Sequence, residues 1–348
     1  MTCIIDGGVN MNKMYGILLI GCGHMGEEHI KNIYFRENVN VVGVVDLDIN
    51  KAKNFARKYN AKSYDTDYKP YLKSKDVDIV IIATYPSTHL NILKECIKEN
   101  KHVLCEKPIA ADFNEGEEFV RLVKSSKSKV LVGHILRHNK SYNTIKSMIE
   151  KGAIGKPLVM RMVQNHHTKD WPRYKKLIEE TSPIIDCGVH YIDIMRWITG
   201  EEVSTISGIC QRTEFDLPPD KYNYGMINMT FSQGSVGFYE AGWGNTIKAQ
   251  NLKEFIGPKG RIVLTHKRDR VDNKEEGDLI EYYRYPEEKY EIININCERK
   301  PMGLQFDNLI NMIEKDEEAN PSILDVEKAF QLSFKADEAI RENKLIRL

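Results

Sequence analysis

The chain has no excess of charge of either sign: 50 Lys and Arg stand against 50 Asp and Glu. Binding of nucleic acid or of an acidic membrane surface by bulk charge is therefore not expected. No apolar run reaches the length of a membrane-crossing helix. There is no internal repeat and no low-complexity linker. The cysteines number seven, an odd count, and no C-x-x-C pair occurs. A disulfide framework and a structural zinc site are thus not expected, and a reducing cytoplasm fits best. No H-E-x-x-H spacing occurs either, which sets a metal reading of His166, His167 and His190 behind other chemistry. Residues 1–10 lack the basic start and apolar length of a signal peptide. Residues 1–13 receive no function, and the ordered core is expected from about residue 14.

What is present is enough chain for two domains, 348 residues, with the 41% hydrophobic content of a globular protein. The first of these is organised around Ile17-Leu18-Leu19-Ile20-Gly21-Cys22-Gly23-His24-Met25-Gly26. An apolar strand runs into glycines spaced G-x-G-x-x-G, and a helix-like segment follows. Gly21 permits a tight turn, Gly23 bares the backbone where a pyrophosphate approaches, and Gly26 lets helix and strand pack closely. The N–H groups opening that helix then face the anion. Glycine-rich turns are common, so the second strand, Val39 to Val45, matters: it ends in Asp46. A carboxylate there accepts the ribose hydroxyls of NAD and repels the extra phosphate of NADP, and no Arg follows it directly. NAD is therefore expected over NADP.

Strand and helix patterns alternate through the first third. Strands are predicted at 17–20, 41–45, 77–83, 102–105 and 129–133, with helices at 26–36, 50–59, 90–100 and 114–125. Repeated β-α-β units imply a doubly wound parallel sheet, a Rossmann domain over residues 1–135. Beyond it the pattern changes. Helices are read at 141–151 and 184–199, and strands at 158–164, 203–212, 224–232, 235–239, 254–256 and 261–265. Residues 136–348 thus form an α+β domain with an open, mainly antiparallel sheet. Residues 268–278 read as a charged loop or hairpin tip. Closing helices are read at 302–313 and 326–343, the last of which can pack back on the first domain.

In an open parallel sheet the ligand lies beyond the carboxyl ends of the strands. Those ends carry Thr84 to His89, Glu106-Lys107-Pro108 and His134 to Arg137. A lysine ammonium at such a place can hold a substrate hydroxyl and stabilise a developing alkoxide. Asp186 and His190, four apart on a helix, share a face, and His can take a hydroxyl proton near neutral pH. Taken alone, the same spacing reads more readily as a helix-face ion pair or a buried His satisfied by Asp.

The ordered motifs G-C-G-H-M-G, strand-end Asp46, A-T-Y-P-S-T-H, H-V-L-C-E-K-P and D-C-G-V-H-Y-I-D resemble the Gfo/Idh/MocA family of oxidoreductases, from about Tyr15 to the C-terminus. The resemblance implies a Rossmann domain followed by an open-faced sheet domain, assembled as homodimers or homotetramers through that sheet. It implies Lys107 as the holder of the reacting hydroxyl, His190 as general acid/base and Asp186 as positioner of substrate and His190. Gly21, Gly23, His24, Met25, Gly26, Asp46, Thr84, Pro86, His89, Glu106 and Lys107 would contact the cofactor, and Pro108 would follow a cis bond. The chain departs from the family pattern at Thr181-Ser182-Pro183, where many members have a Gly-Gly pair. Its run from Gln164 to Tyr174 is unusual, and reads either as a substrate wall using His166, His167 and Trp171 or as a surface loop. Arg137 is a further substrate candidate. No phosphate-binding cluster is evident in the second half, although Arg137, Arg161 and Arg173 are available for one.

The expected activity is oxidation by NAD of a secondary hydroxyl on a sugar, sugar derivative or inositol-like polyol. Two alternatives use the same fold: a redox-neutral glycosidase or lyase that borrows NAD transiently, and a non-catalytic NAD- and sugar-sensing regulator.

Overall fold

The structure, a computed structural model, describes residues 13–270 and 277–348. The expectations for residues 1–12, and for residues 271–276 of the charged loop, lie outside the described residues. The first half runs β1 (Tyr15–Ile20), α1 (His24–Lys31), β2 (Val39–Val45), α2 (Ile49–Lys58), β3 (Tyr64–Asp65), α3 (Lys69–Leu72), β4 (Ile79–Ile82), α4 (Pro86–Lys98), β5 (His102–Cys105), α5 (Phe113–Ser125) and β6 (Val130–Val132). The strands lie in the order β3-β2-β1-β4-β5-β6, all parallel. The order reverses direction between β1 and β4, so the crevice of the sheet opens at the carboxyl ends of those two strands.

The continuous apolar runs follow from burial on both faces. Leu18, Ile20, Val80 and Ile82 pack on one side of the sheet with Leu93 and Phe119 of α4 and α5. Ile17, Leu19, Ile79 and Ile81 pack on the other with Ile30, Ala52 and Ala56 of α1 and α2. Asp48 and Asp112 cap α2 and α5 by accepting backbone N–H groups of the first turn.

A 3-10 turn, Ile135–His138, leads out of β6 into α6 (Lys140–Glu150). Then follow β7 (Val159–His167), α7 (Trp171–Glu180), α8 (Pro183–Asp186), α9 (Gly188–Thr199), β8 (Val203–Gln211), β9 (Tyr224–Phe231), β10 (Val236–Gly244), β11 (Gln250–Gly257), β12 (Gly260–Thr265), β13 (Asp278–Arg284), β14 (Lys289–Ile295), α10 (Met302–Lys315), α11 (Ile323–Arg341) and β15 (Ile346–Arg347). The second sheet has the order β14-β13-β12-β11-β7-β10-β9-β8-β15. It is antiparallel except for the β7–β10 pair. One face is covered by α6, α8, α9 and α11 over a core that includes Met160, Met162, Tyr239, Trp243, Phe255 and Ile192. The other face is open and carries exposed Val159, Ile209 and Val236.

Two features differ from the sequence reading. The run from Gln164 to Tyr174, read as a substrate wall or a surface loop, instead ends β7 and from Trp171 opens a helix that continues to Glu180. Asp170 caps it and Pro172 sits in its first turn, a start signal present in the sequence. The second sheet also continues past residue 265 into β13 and β14, whose seven-residue pairing runs from Asp278↔Ile295 to Arg284↔Lys289. Both closing helices return to the first half. Phe306, Leu309, Ile310 and Met312 of α10 join the core beside α1 and α2, and Val326 and Phe330 of α11 join the core beside α5.

Candidate active site

The glycine turn has the shape a dinucleotide requires. Gly21 has φ of +101°, and a Cβ on it would meet the Ala83 carbonyl oxygen at 2.5 Å. A Cβ on Gly26 would meet the Gly21 oxygen at 1.9 Å, whereas one on Gly23 would face open space. Gly23 is the N-cap of α1 and provides no side-chain cap, so the opening N–H groups of that helix have no side-chain acceptor. Asp46 braces the turn from β2: its Oδ2 accepts the Cys22 N–H at 2.8 Å and its Oδ1 the Asp48 N–H at 2.9 Å. A bare glycine, an uncapped helix start and a fixed carboxylate fit NAD. Gly21, Gly23, Gly26 and Asp46 would hold its pyrophosphate and ribose.

A further cation stands here that the sequence reading did not single out. Lys300, between β14 and α10, places Nζ 3.3 Å from His24 Nε2 and 3.5 Å from Met25 Sδ. Burial lowers its pKa to about 8, with Arg299 and Lys107 acting in the same sense against Glu28 and Glu106. No motif marks a lysine that reaches the turn from 275 residues away.

At the end of β5 the Lys107–Pro108 bond is cis. Lys107 Nζ donates to Asp186 Oδ1 at 3.1 Å and to the Asp186 carbonyl at 3.0 Å. Burial opposes the ammonium charge, but Asp186, Cys187 and Glu106 outweigh it and hold Lys107 above its ordinary pKa. Lys107 is therefore a cation throughout the neutral range. Glu106 does not face the crevice. It lies buried beneath it, with Oε1 2.7 Å from His29 Nε2. Burial would raise its pKa, yet the His29 contact keeps it below the usual carboxylate range.

Asp186 and His190 do not share the regular helix turn that their spacing predicts. The helix breaks at Cys187: α8 ends at Asp186, α9 starts at Gly188, and the His190 N–H reaches the Cys187 carbonyl. Asp186 turns to Lys107, while the His190 ring meets His134 edge-on at 5.6 Å between centroids. His134 Nδ1 in turn lies 3.5 Å from Asp193 Oδ2. His190 Nδ1 is buried without a partner. Burial, with Lys107, His134 and Lys300 nearby, pushes the pKa of His190 well below its ordinary value, so the ring is neutral and able to accept a proton.

The remaining candidates divide. His89 is fully buried, with Nδ1 3.0 Å from the Pro108 oxygen and Nε2 3.2 Å from the Thr84 oxygen. It ties two strand-end loops together rather than lining the crevice. Thr84 is half-buried and pairs with Thr88, and buried Pro86 opens α4. Arg137 is not available to a substrate. Its Nε and Nη2 donate to Asp193 at 2.8 and 2.6 Å, and its Nη1 to Asp325 at 3.0 Å. Side chains alternate along β7, so His166 and His167 face opposite ways. His166 turns inward, stacked on Trp243 at 6.3 Å and 3.1 Å from the Tyr174 hydroxyl. His167 is exposed on the open face and leaves the site. Trp171 Nε1 donates to Asp216 at 2.9 Å and ties α7 to the segment before β9. The helix α7 itself reaches the first half, with Lys176 Nζ 4.5 Å from the centre of the Tyr85 ring. Among the described residues no group of three or more His, Cys, Asp or Glu could hold a metal ion.

Two family models cover this architecture. Residues 15–134 match the oxidoreductase family with the NAD-binding Rossmann fold, and residues 142–263 match the GFO/IDH/MocA C-terminal domain. The chain belongs to the Gfo/Idh/MocA oxidoreductases. As a member of that family it is an NAD-dependent oxidoreductase of CH–OH groups. It is 27% identical over 255 residues to inositol 2-dehydrogenase of Rubrobacter xylanophilus, covering 71% of this chain and 70% of that one. The myo-inositol 2-dehydrogenase of Lactobacillus plantarum superposes with a TM-score of 0.80 at 18% identity, covering 97% of this chain and 100% of its own. A levoglucosan dehydrogenase in complex with NADH and levoglucosan superposes at 0.81 with 19% identity, covering 97% and 99%. These two likenesses establish the fold. Among the described residues no helix is long and apolar enough to cross a membrane.

Proposed function

We propose that the chain oxidises a secondary hydroxyl of a sugar, sugar derivative or cyclic polyol, with residues 1–135 as the cofactor half and 136–348 as the substrate half. The observation that carries this reading is the meeting of Lys107, from the first sheet, with Asp186 and the neutral His190 of the second half. The bound nicotinamide would supply the hydride acceptor. Lys107 donates a hydrogen bond to the reacting hydroxyl and stabilises the oxygen as negative charge develops. His190 takes the hydroxyl proton on its imidazole, which burial keeps uncharged and ready. Asp186 holds the Lys107 ammonium in place. Asp46 favours NAD over NADP by its charge at the adenosine ribose. The exposed apolar residues of the open sheet face support assembly of two or four copies through it.

The test is NAD reduction, followed by absorbance, against inositols, free sugars, amino sugars and nucleotide sugars, with NADP in parallel. Reduction with one group is expected. The variant His190→Ala should lose turnover by about two to four orders of magnitude while NAD affinity holds. Near wild-type turnover in that variant refutes the assignment. Substrate conversion without net cofactor reduction would instead favour the redox-neutral reading.

A further inference from the structure

The inner face of the second sheet carries a surplus of cations beside His166. Lys253 of β11 stands opposite Met162 of β7 in the pairing, so both point to the covered face. The Lys253 side chain is fully buried and meets no carboxylate among the described residues. Its Nζ donates to the Val163 carbonyl at 2.8 Å, the Leu252 carbonyl at 3.0 Å and Asn251 Oδ1 at 2.8 Å, and lies 4.4 Å from the centre of the Tyr191 ring. Asn251 Nδ2 donates to Asp269 Oδ2 at 2.8 Å, and Asp269 Oδ1 lies 3.2 Å from Arg268 Nε. The line Lys253–Asn251–Asp269–Arg268 thus holds, among the described residues, one carboxylate for two basic side chains.

Arg299 adds a third. It precedes Lys300 in the segment that crosses from β14 to the glycine turn, and Asn139 Nδ2 fixes that segment by donating to the Glu298 and Arg299 carbonyls at 3.2 and 3.3 Å. The guanidinium is half-buried and makes no hydrogen bond or ion pair with any described residue. It lies within charge range of Arg268, Asp269, Tyr191 and Tyr142, and burial with the Arg268 charge lowers its pKa. The same charges reach His166. Burial together with Arg268 and Arg299 pushes His166 down to about 4, with Asp186 opposing. Asp186, the carboxylate that acts on His166, is already taken by Lys107. Removing a guanidinium from water without an anion is costly, and a ligand that supplies the anion recovers that cost.

We propose that the substrate is itself an anion, a sugar acid or sugar phosphate whose carboxylate or phosphate binds Arg299, with Arg268 beside it. This rests on the dehydrogenase reading for the word substrate but not for the binding site. It also relocates the anion contact, away from Arg137, which is spent on Asp193, and from Arg161, which pairs with Glu254 on the open face.

Calorimetric titration of the NADH-loaded full chain with D-glucuronate, D-glucose 6-phosphate, myo-inositol phosphate and their neutral parents, D-glucose and myo-inositol, tests it. At least one anion should bind about tenfold or more tighter than its parent, as a charge-assisted hydrogen bond would give. The preference should shrink with added salt, vanish in Arg299→Gln and return in part in Arg299→Lys. Comparison of the carboxylate and phosphate arms identifies the anion. Equal binding of anions and parents, no binding by any anion, or a preference untouched in a normally folded Arg299→Gln protein overturns the proposal. An anion that binds tightly but reduces no NAD when offered to the protein loaded with oxidised NAD would leave the anion site standing and count against the dehydrogenase reading.

Discussion

Lys300 should make NAD affinity depend on pH in a range where few other groups titrate. Its pKa of about 8 in the free protein reflects burial first, and Arg299 and Lys107 next, against the pull of Glu28 and Glu106. His24, its nearest ring, is held below its ordinary pKa by burial and by Lys300 itself, so it stays neutral above pH 7. If the protonated ammonium is the form that receives the pyrophosphate, the apparent Kd rises as Lys300 loses its proton. With the charge worth about tenfold in binding, a group with a pKa of about 8 gives a rise of about fivefold between pH 7 and pH 9. The sign is fixed: affinity is full below pH 8 and declines above it. Substitution Lys300→Met should weaken binding at pH 7 by about tenfold, the value of one charge-assisted hydrogen bond, and flatten the profile. Lys253, lowered to about 7 by burial, titrates nearby but lies buried in the second sheet rather than at the glycine turn. The variant therefore separates the two. Protein fluorescence quenching by NAD at each pH is the assay. A wild-type Kd that is constant from pH 7 to pH 9, or a Lys300→Met protein that keeps the same slope, refutes the reasoning.

Two further outcomes follow from the geometry. Asp46→Ser should shift the ratio of NADP to NAD affinity by about tenfold or more towards NADP, a change of about 1.4 kcal/mol. An unchanged ratio, read from Kd values for both cofactors, would remove Asp46 from the ribose site. Arg137→Met leaves the buried Asp193 carboxylate without its fork and should cost about 3–5 kcal/mol of stability, read from urea unfolding. The KM for substrate should stay within about twofold, whereas a raised KM with unchanged stability would restore Arg137 to the site.

The Rossmann half was legible because each residue there answers to a local rule. Gly21, Gly23 and Gly26 follow a strand, and Asp46 ends the next one, so strand, turn and acid agree without any long-range contact. Lys107 and the Asp186–His190 stretch were legible as residues but not as geometry. The four-residue spacing assumed a regular helix, and the break at Cys187 gave Asp186 to Lys107 and His190 to the side of His134. His166 and His167 show the same limit. Their adjacency suggested a pair, but strand pleating sends them to opposite faces. Arg299 and Lys300 could not be read at all, since their position depends on how the chain returns to the glycine turn after eight strands of a second sheet.

That return governs the order in which the molecule can be made. Phe330 of α11 occupies the space above Gly116 of α5 so closely that a Cβ there would meet its ring at 2.1 Å. Phe306 and Leu309 of α10 close the opposite side of the same parallel sheet. A ribosome releases α10 and α11 after every strand of both sheets except β15, so the sheet synthesised first waits with two uncovered flanks until residues 302–341 emerge. The cofactor half is therefore contiguous in function but not in sequence. A fragment ending near residue 135 would carry every glycine of the turn and still lack two walls of its own core.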